Sequence, residues 1–338
     1  MNPLGHRTYV RIFIELSGEH PTLPRAEALA AMEAERVEVR ALSWNSRVLH
    51  LDGSGPVERA VRRLGLARAA WEELARGDLD ALRAYAREVD LARRTFRVRA
   101  QDRGGRMDAH AVEEVLGAEF ARTGRVDLTS PGLDLRVLLG DELVLGRSLF
   151  QVERSALEAR KVARRRFARP ISVHPKFARA LVNLSRAPTG GLLLDPFCGT
   201  GGILLEASRL GMRALGSDIS REMIEGARTS LRALEAEAHL ATADAGTPPW
   251  RDGRVLAVAS DLPYGRATST HGEPLTRLYD RAFAGFAQVL PRGGFAAVVV
   301  PTGRAVEIGE RHLELVERHE YRVHRSLTRI FCAFLKSH

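Results

Sequence analysis

The chain has 338 residues, 45% apolar and 28% charged, which excludes a disordered protein and exceeds what one core ordinarily holds, so two domains are expected. Cys198 and Cys332 are the only cysteines, which excludes a disulfide framework or a cysteine-rich zinc module; with no run of about 18 apolar residues and no signal-peptide pattern, a soluble cytoplasmic protein is expected. Lys and Arg total 51 against 42 Asp and Glu, a net +9 spread over both halves, which suits a polyanionic partner without demanding one.

In chain order, Tyr9–Leu16 reads as a strand, Arg25–Glu35 as a helix and Arg47–Leu51 as a second strand. Val57–Gly65 and Asp80–Glu88 read as helices, Thr95–Ala100 alternates with period two, and Asp108–Thr123 is an amphipathic helix. Short strands over Arg125–Leu128, Leu133–Leu139 and Glu142–Leu145 are separated by Pro131–Gly132 and Gly140–Asp141 turns. This is an α+β pattern. The basic stretch RKVARRRFARP follows, carrying Arg160, Lys161, Arg164, Arg165, Arg166 and Arg169. It divides the chain into an N-terminal region (1–150), a basic linker (151–171) and a C-terminal domain (172–338). A helix over Pro175–Arg186 then places Phe177, Leu181 and Leu184 on one face.

From Gly190 the rhythm becomes strand, turn, helix. The strands are LLLDP, RALGSD, HLATAD, RVLAVAS and FAAVVVP, with helices starting near Gly202, Arg221, Leu275 and Arg304. That alternation predicts an α/β domain with a doubly wound, Rossmann-like parallel sheet. YRVHRSLT and RIFCAFLK come last with no helix between them, and two strands in immediate succession form a hairpin. A parallel sheet closed by a terminal hairpin resembles the layout of class I S-adenosylmethionine-dependent methyltransferases.

Three strand ends carry chemistry. In LLLDPFCGTGGILLEA a buried strand leads to Asp195, then to a turn whose Gly199, Gly201 and Gly202 let backbone approach a ligand, then to a helix N-terminus. The turn lacks the third glycine of the dinucleotide fingerprint, which disfavours a nicotinamide dehydrogenase. A buried Asp195 needs a partner, and a ligand ammonium group would serve. Asp218, ending the second strand in LGSDI, can accept two ribose hydroxyls, although strand-end Asp residues also cap helices. Asp244, in ATADA, is placed to hold an adenine amine or is simply a turn residue. The fourth strand runs into SDLPYGR, which resembles the (Asp/Asn)-Pro-Pro-Tyr motif of amino methyltransferases. A base amine is a poor nucleophile because its lone pair is delocalised. Asp261 and the Leu262 carbonyl can bond its two N–H groups and free that pair, Pro263 fixes the turn, and Tyr264 offers a stacking face.

With these residues in view, the sequence resembles the archaeal tRNA guanosine-10 N2-methyltransferases. The resemblance runs through DPFCGTGGILLEA, GSDI and DLPYGRAT, the lead-in RPISVHPKFARALVNLSR, and, near the start, ELSGEHPTLPRAE and Phe96–Val137. It implies an N-terminal ferredoxin-like and THUMP region that binds tRNA, and a catalytic domain that receives a flipped guanine. It implies S-adenosylmethionine as cofactor, with Asp195 and Gly199 at its methionine part, Gly201 in the same turn, Asp218 at the ribose and Asp244 at the adenine. Asp261 becomes the catalytic carboxylate, with Leu262 supplying a carbonyl, Pro263 the turn and Tyr264 the stacking face. Leu262 stands where the family has Pro, leaving one or two methyl additions open. In this picture the basic junction grips the sugar–phosphate backbone. Partners are tRNA alone, with no membrane, no DNA and no activator subunit, and the protein acts as a monomer.

The nearest alternatives are the same chemistry at another tRNA guanosine, such as position 6, and a non-catalytic tRNA-binding protein, which the intact Asp261 and glycine turn disfavour. Cys198 is not read as a nucleophile, since cytosine C5 chemistry needs a second cysteine at the fourth strand. No histidine spacing fits a metal, and His174 reads as a helix-entry residue.

Overall fold

The computed structural model describes residues 8–45, 47–102, 107–160, 173–250, 253–265, 273–324 and 327–337. The chain divides into two units, Met1–Ser17 with Val37–Arg62 and Ala67–Val152, and Gly18–Arg36 with Arg63–Leu66 and Glu153–His338. This corrects the contiguous N-terminal region expected over 1–150: residues 18–36 and 63–66 pack into the second unit.

In chain order the elements begin with β1 (Val10–Leu16), α1 (Leu23–Ala34), β2 (Glu38–Trp44), β3 (Val48–Ser54) and α2 (Val57–Val61). They continue with β4 (Ala67–Gly77), α3 (Leu79–Glu88), β5 (Thr95–Asp102), α4 (Ala109–Phe120), β6 (Arg125–Val126), β7 (Leu133–Leu139) and β8 (Leu143–Gln151). The strands of the first unit form one sheet in the order β2-β3-β1-β4-β8-β7-β5-β6. Pairing is antiparallel except where β5 meets β6 and β7. Asp78 and Asp108 cap α3 and α4 by accepting from Ala81 N and His110 N. Those helices bury Leu82, Ala86, Val112, Leu116 and Phe120 against Phe96 and Leu135 of the sheet.

β4 was not expected. Its sequence, ARAAWEELARG, favours a helix by composition. It pairs on both sides instead, with β1 and β8, and buries Trp71, whose indole N–H donates to Glu15 Oε1 at 2.9 Å. Tertiary pairing here overrides local propensity. β2 was also missed, and the helix expected over Val57–Gly65 stops at Val61.

The second unit continues with α5 (Arg154–Ala159), α6 (Pro175–Leu184), β9 (Leu192–Asp195), α7 (Gly202–Arg209), β10 (Arg213–Asp218), α8 (Arg221–Ala233) and β11 (Ala238–Thr242). Next come β12 (Ala257–Asp261), α9 (Leu275–Val289), β13 (Phe295–Val300), α10 (Gly303–Gly309), β14 (Glu314–His324) and β15 (Leu327–Leu335). The seven strands order as β11-β10-β9-β12-β13-β15-β14. The first five are parallel, and β15 is antiparallel to both β13 and β14. The doubly wound sheet and terminal hairpin are as expected; β14 begins at Glu314, earlier than the hairpin sequence suggested. One apolar cluster joins Leu23, Ala26 and Ala30 of α1 to Phe177, Leu181 and Leu184 of α6. Among the described residues no helix is long and apolar enough to cross a membrane.

A buried polar network explains why the two N-terminal stretches join this unit. Glu27 on α1 accepts from Gly65 N at 2.7 Å, Leu66 N at 2.8 Å and Asn183 Nδ2 at 2.8 Å. Arg63 donates to Glu35 Oε1 at 2.7 Å, Asn183 Oδ1 at 3.0 Å and the Ala187 carbonyl at 2.9 Å. Buried polar groups are tolerated only when satisfied in this way. Burial pushes the Glu27 carboxyl up to about 7 despite its three donors. Its contribution to stability is therefore full below the ordinary 4.5 and is lost as pH rises through about 7. Asn183→Leu removes one of those donors and one acceptor of Arg63. Unfolding in denaturant should show a loss of about 3 kcal/mol at pH 8 and a smaller loss at pH 5, where Glu27 is neutral.

Candidate active site

The carboxyl ends of parallel strands are where open α/β sheets bind ligands. β10, β9 and β12 lie side by side and end at Asp218, Asp195 and Asp261. The sheet thus brings together three carboxylates that are well separated in sequence.

Asp195 is buried, and its Oδ1 accepts from Ser260 Oγ at 2.7 Å and from Phe197 N at 3.2 Å. Asp218 accepts from Ser220 N at 2.9 Å and from Gly199 N at 3.0 Å, which ties the glycine turn to the second strand. Gly199 has φ +48° and Gly201 φ +79°, the left-handed region that a side chain would strain. Gly201 is also the N-cap of α7. Ile219, directly after Asp218, exposes half its surface, an apolar face beside that carboxylate. The Cys198 thiol is buried and pushed up by burial and by Asp195 and Asp218, so it stays protonated and unreactive.

Asp244 is more engaged than expected. Its Oδ1 accepts from Arg281 at 2.7 Å and from Gly246 N at 2.7 Å, and its Oδ2 accepts from Arg281 at 3.1 Å. Arg281 also binds Glu273 at 2.7 Å, and these pairings hold the Asp244 carboxyl below its usual range. Only Oδ2 keeps acceptor capacity to spare.

At the end of β12, Leu262 N donates to the Val299 carbonyl at 3.0 Å and the Leu262 side chain is fully buried. The Pro263 carbonyl accepts from the Tyr279 hydroxyl at 2.6 Å. Tyr264 donates its hydroxyl to Asp261 Oδ1 at 2.9 Å. Arg329 on β15 brings its guanidinium carbon to 5.9 Å from the Tyr264 ring centre and is 9% exposed. Sequence reasoning missed two residues at this corner. Ser260 opens the SDLPYGR motif and was not weighed. Arg329 interrupts an otherwise apolar hairpin strand, a signal that was overlooked.

Burial pushes Asp195 up to about 7 and Asp261 up to about 6, and raises Asp218 as well. Each carboxylate beside Asp195 adds to its rise. Among the described residues none of the three forms an ion pair. Arg329 partly offsets Asp261, but burial still dominates at all three acids, and a row of desolvated carboxylates fits a cationic ligand; S-adenosylmethionine carries an ammonium and a sulfonium.

Of the expected RNA-binding residues, Arg160 alone lies within the described residues. Its Nε lies 2.8 Å from Glu206 Oε1 and its side chain is 14% exposed, so it is committed to a buried partner. Lys161, Arg164, Arg165, Arg166 and Arg169 lie outside the described residues. His174 caps α6 by accepting from Lys176 N, the helix-entry place expected of it.

A family model described as UPF0020, RMKL-like, methyltransferase domain, matches residues 163–330. The tRNA (guanine(10)-N2)-dimethyltransferase of Methanothermobacter thermautotrophicus is 33% identical over 330 residues, 95% of this chain and 98% of that protein. The protein of the same name from Pyrococcus abyssi is 31% identical over 94% and 98%. The crystal structure of TrmN from Thermus thermophilus superposes with a TM-score of 0.53 at 22% identity, covering 96% of this chain and 99% of that one, and so shares the fold. With a third of positions identical to the first of these relatives along nearly the whole of both chains, and a methyltransferase sheet with its acidic strand ends in place, the chain belongs to the tRNA (guanine(10)-N2)-dimethyltransferase family.

Proposed function

We propose that this enzyme transfers two methyl groups from S-adenosylmethionine to the exocyclic N2 of guanosine 10 in tRNA. The Asp261 corner carries the reading: a desolvated carboxylate, steadied by the Tyr264 hydroxyl, stands one strand away from the acidic cofactor turn. When bound, S-adenosylmethionine supplies a methyl carbon made electrophilic by its sulfonium. Asp195 takes the ammonium, Gly199 and Gly201 leave room for the methionine backbone, and Asp218 accepts the ribose hydroxyls. Ile219 covers the adenine, and Asp244 Oδ2 accepts its amine.

Asp261 accepts one N–H of guanine N2 and the Leu262 carbonyl the other, which withdraws the nitrogen lone pair from the ring. The Tyr264 ring stacks on the base. With the cofactor bound, that pair would take the methyl group, the methyl–sulfur bonding electrons going to sulfur, and Asp261 would receive the surplus N2 proton. A carboxyl raised to about 6 holds that proton better than an ordinary Asp would. The second transfer reuses the one remaining N–H at Asp261. The first unit, as a ferredoxin-like and THUMP region, holds the tRNA, and the basic segment grips its backbone. The enzyme works in the cytoplasm as a monomer without an activator subunit.

The first test is methyl transfer from labelled cofactor to unmodified tRNA transcripts, followed by nucleoside analysis and mapping. N2,N2-dimethylguanosine at position 10 is expected; methylation of another guanosine would move the target. Asp261→Ala should abolish turnover while leaving cofactor affinity within a few-fold, and a collapse of that affinity would reassign Asp261 to the cofactor site. In the wild type, kcat/KM should fall with a one-proton slope as pH drops through about 6, because protonated Asp261 can no longer accept. Replacing Arg164, Arg165 and Arg166 by Ala should weaken tRNA binding and reduce the slope of log affinity against log salt by about 2–3 units. An unchanged slope would make the segment a plain linker.

A further inference from the structure

The acceptors at Asp261 and Leu262 answer the amine of a base without saying which base carries it, so something else must choose guanine. Guanine presents a donor at N2, a donor at N1 and an acceptor at O6 along one edge. A carboxylate answers the two donors. The acceptor requires a hydrogen-bond donor beside that carboxylate.

Arg329 is the group so placed. Register sets Asp261 against Val299 of β13 and Val299 against Phe331 of β15, so these residues form one row across the sheet. Arg329 stands two residues from Phe331, on the same face and one step further toward the strand ends where the site opens. Its guanidinium lies 5.9 Å from the ring centre of Tyr264, the residue whose hydroxyl holds Asp261. The residue is nine-tenths buried, and its Nε is buried with no hydrogen-bond partner among the described residues. A guanidinium is always charged, and an unpaired buried N–H is costly enough that native structures rarely keep one without a use.

We propose that Arg329 reads the substrate base by donating to the guanine O6, while Asp261 takes the N2 and N1 hydrogens. The inference rests on the guanine-N2 activity proposed above and adds the means by which the base is chosen. Adenine would set an amine against the guanidinium and a ring nitrogen against the carboxylate, two mismatches at once. A site built on such bonds discriminates strongly, because a wrong base leaves both groups buried and unsatisfied.

The test uses tRNA with guanosine or 2-aminopurine riboside at the target position; the analogue keeps the C2 amine but lacks both the oxygen and the N1 hydrogen, so it is the response of the Arg329 variants that isolates the bond to oxygen. Wild-type enzyme should prefer guanosine by about a hundredfold in kcat/KM. Arg329→Met and Arg329→Lys should lose most of their activity on guanosine, keep that on 2-aminopurine within a few-fold, and retain cofactor affinity and thermal midpoint. Equal use of the two bases by the wild type overturns the inference, and so does an equal loss on both bases in the variants. A wild type that methylates no tRNA guanosine overturns the activity reading beneath it, a failure visible before any variant is made.

Discussion

The 2.7 Å hydrogen bond from Ser260 Oγ to Asp195 Oδ1 joins the two strands on which the site is built. One strand carries the glycine turn and the other the catalytic corner, and the bond is buried. It is the shortest of the two bonds that stabilise a carboxylate otherwise pushed toward neutrality by burial and by Asp218 and Asp261. Asp218 and Asp261 both raise Asp195, so positive charge brought to Asp195 relieves the like-charge crowding at the ends of these strands. Burial and crowding of these carboxylates are thus one electrostatic problem, met on three adjacent strands.

The same corner shows how a departure from the usual motif is accommodated. Leu in place of the first Pro removes a ring that would restrict the turn. Leu262 instead sinks completely into an apolar cluster with Phe283, Val298 and Val300, and its N–H continues the ladder to Val299. The Tyr279 hydroxyl then fixes the next carbonyl, that of Pro263. Burial and one side-chain bond supply rigidity that the covalent ring does not. The Leu262 carbonyl stays between these two fixed points.

Legibility in the sequence followed the range of the interactions. The parallel strands of the second unit read clearly because burial on both faces produces apolar runs, each ending at its acidic residue within a few positions. The glycine turn and SDLPYGR are equally local, so the candidate acids could be named before their juxtaposition was known. β4 was lost because its pairing with β1 and β8, not its Ala- and Glu-rich sequence, makes it a strand. The membership of 18–36 and 63–66 was lost because it depends on Glu27 meeting Asn183 across 156 positions. Arg329 escaped for a related reason: only the return of β15 along β13 gives a lone arginine its neighbours Tyr264 and Asp261.

Arg160 is the instructive case among the basic residues, because its charge is already spent. Glu206, on α7, is fully buried, and each of its oxygens receives one guanidinium Nε at 2.8 Å, from Arg160 and from Arg179 of α6. A buried carboxylate left without partners is strongly destabilising, so the pair of arginines is a condition of its being there. α7 opens at the glycine turn, which means that the first residue of the basic stretch is tied to the helix nearest the cofactor site. Whatever path the following residues take, their starting point is set by this ion pair. Composition counted Arg160 with the charges that follow it in sequence; its ion pair with Glu206 gives it a structural part of its own.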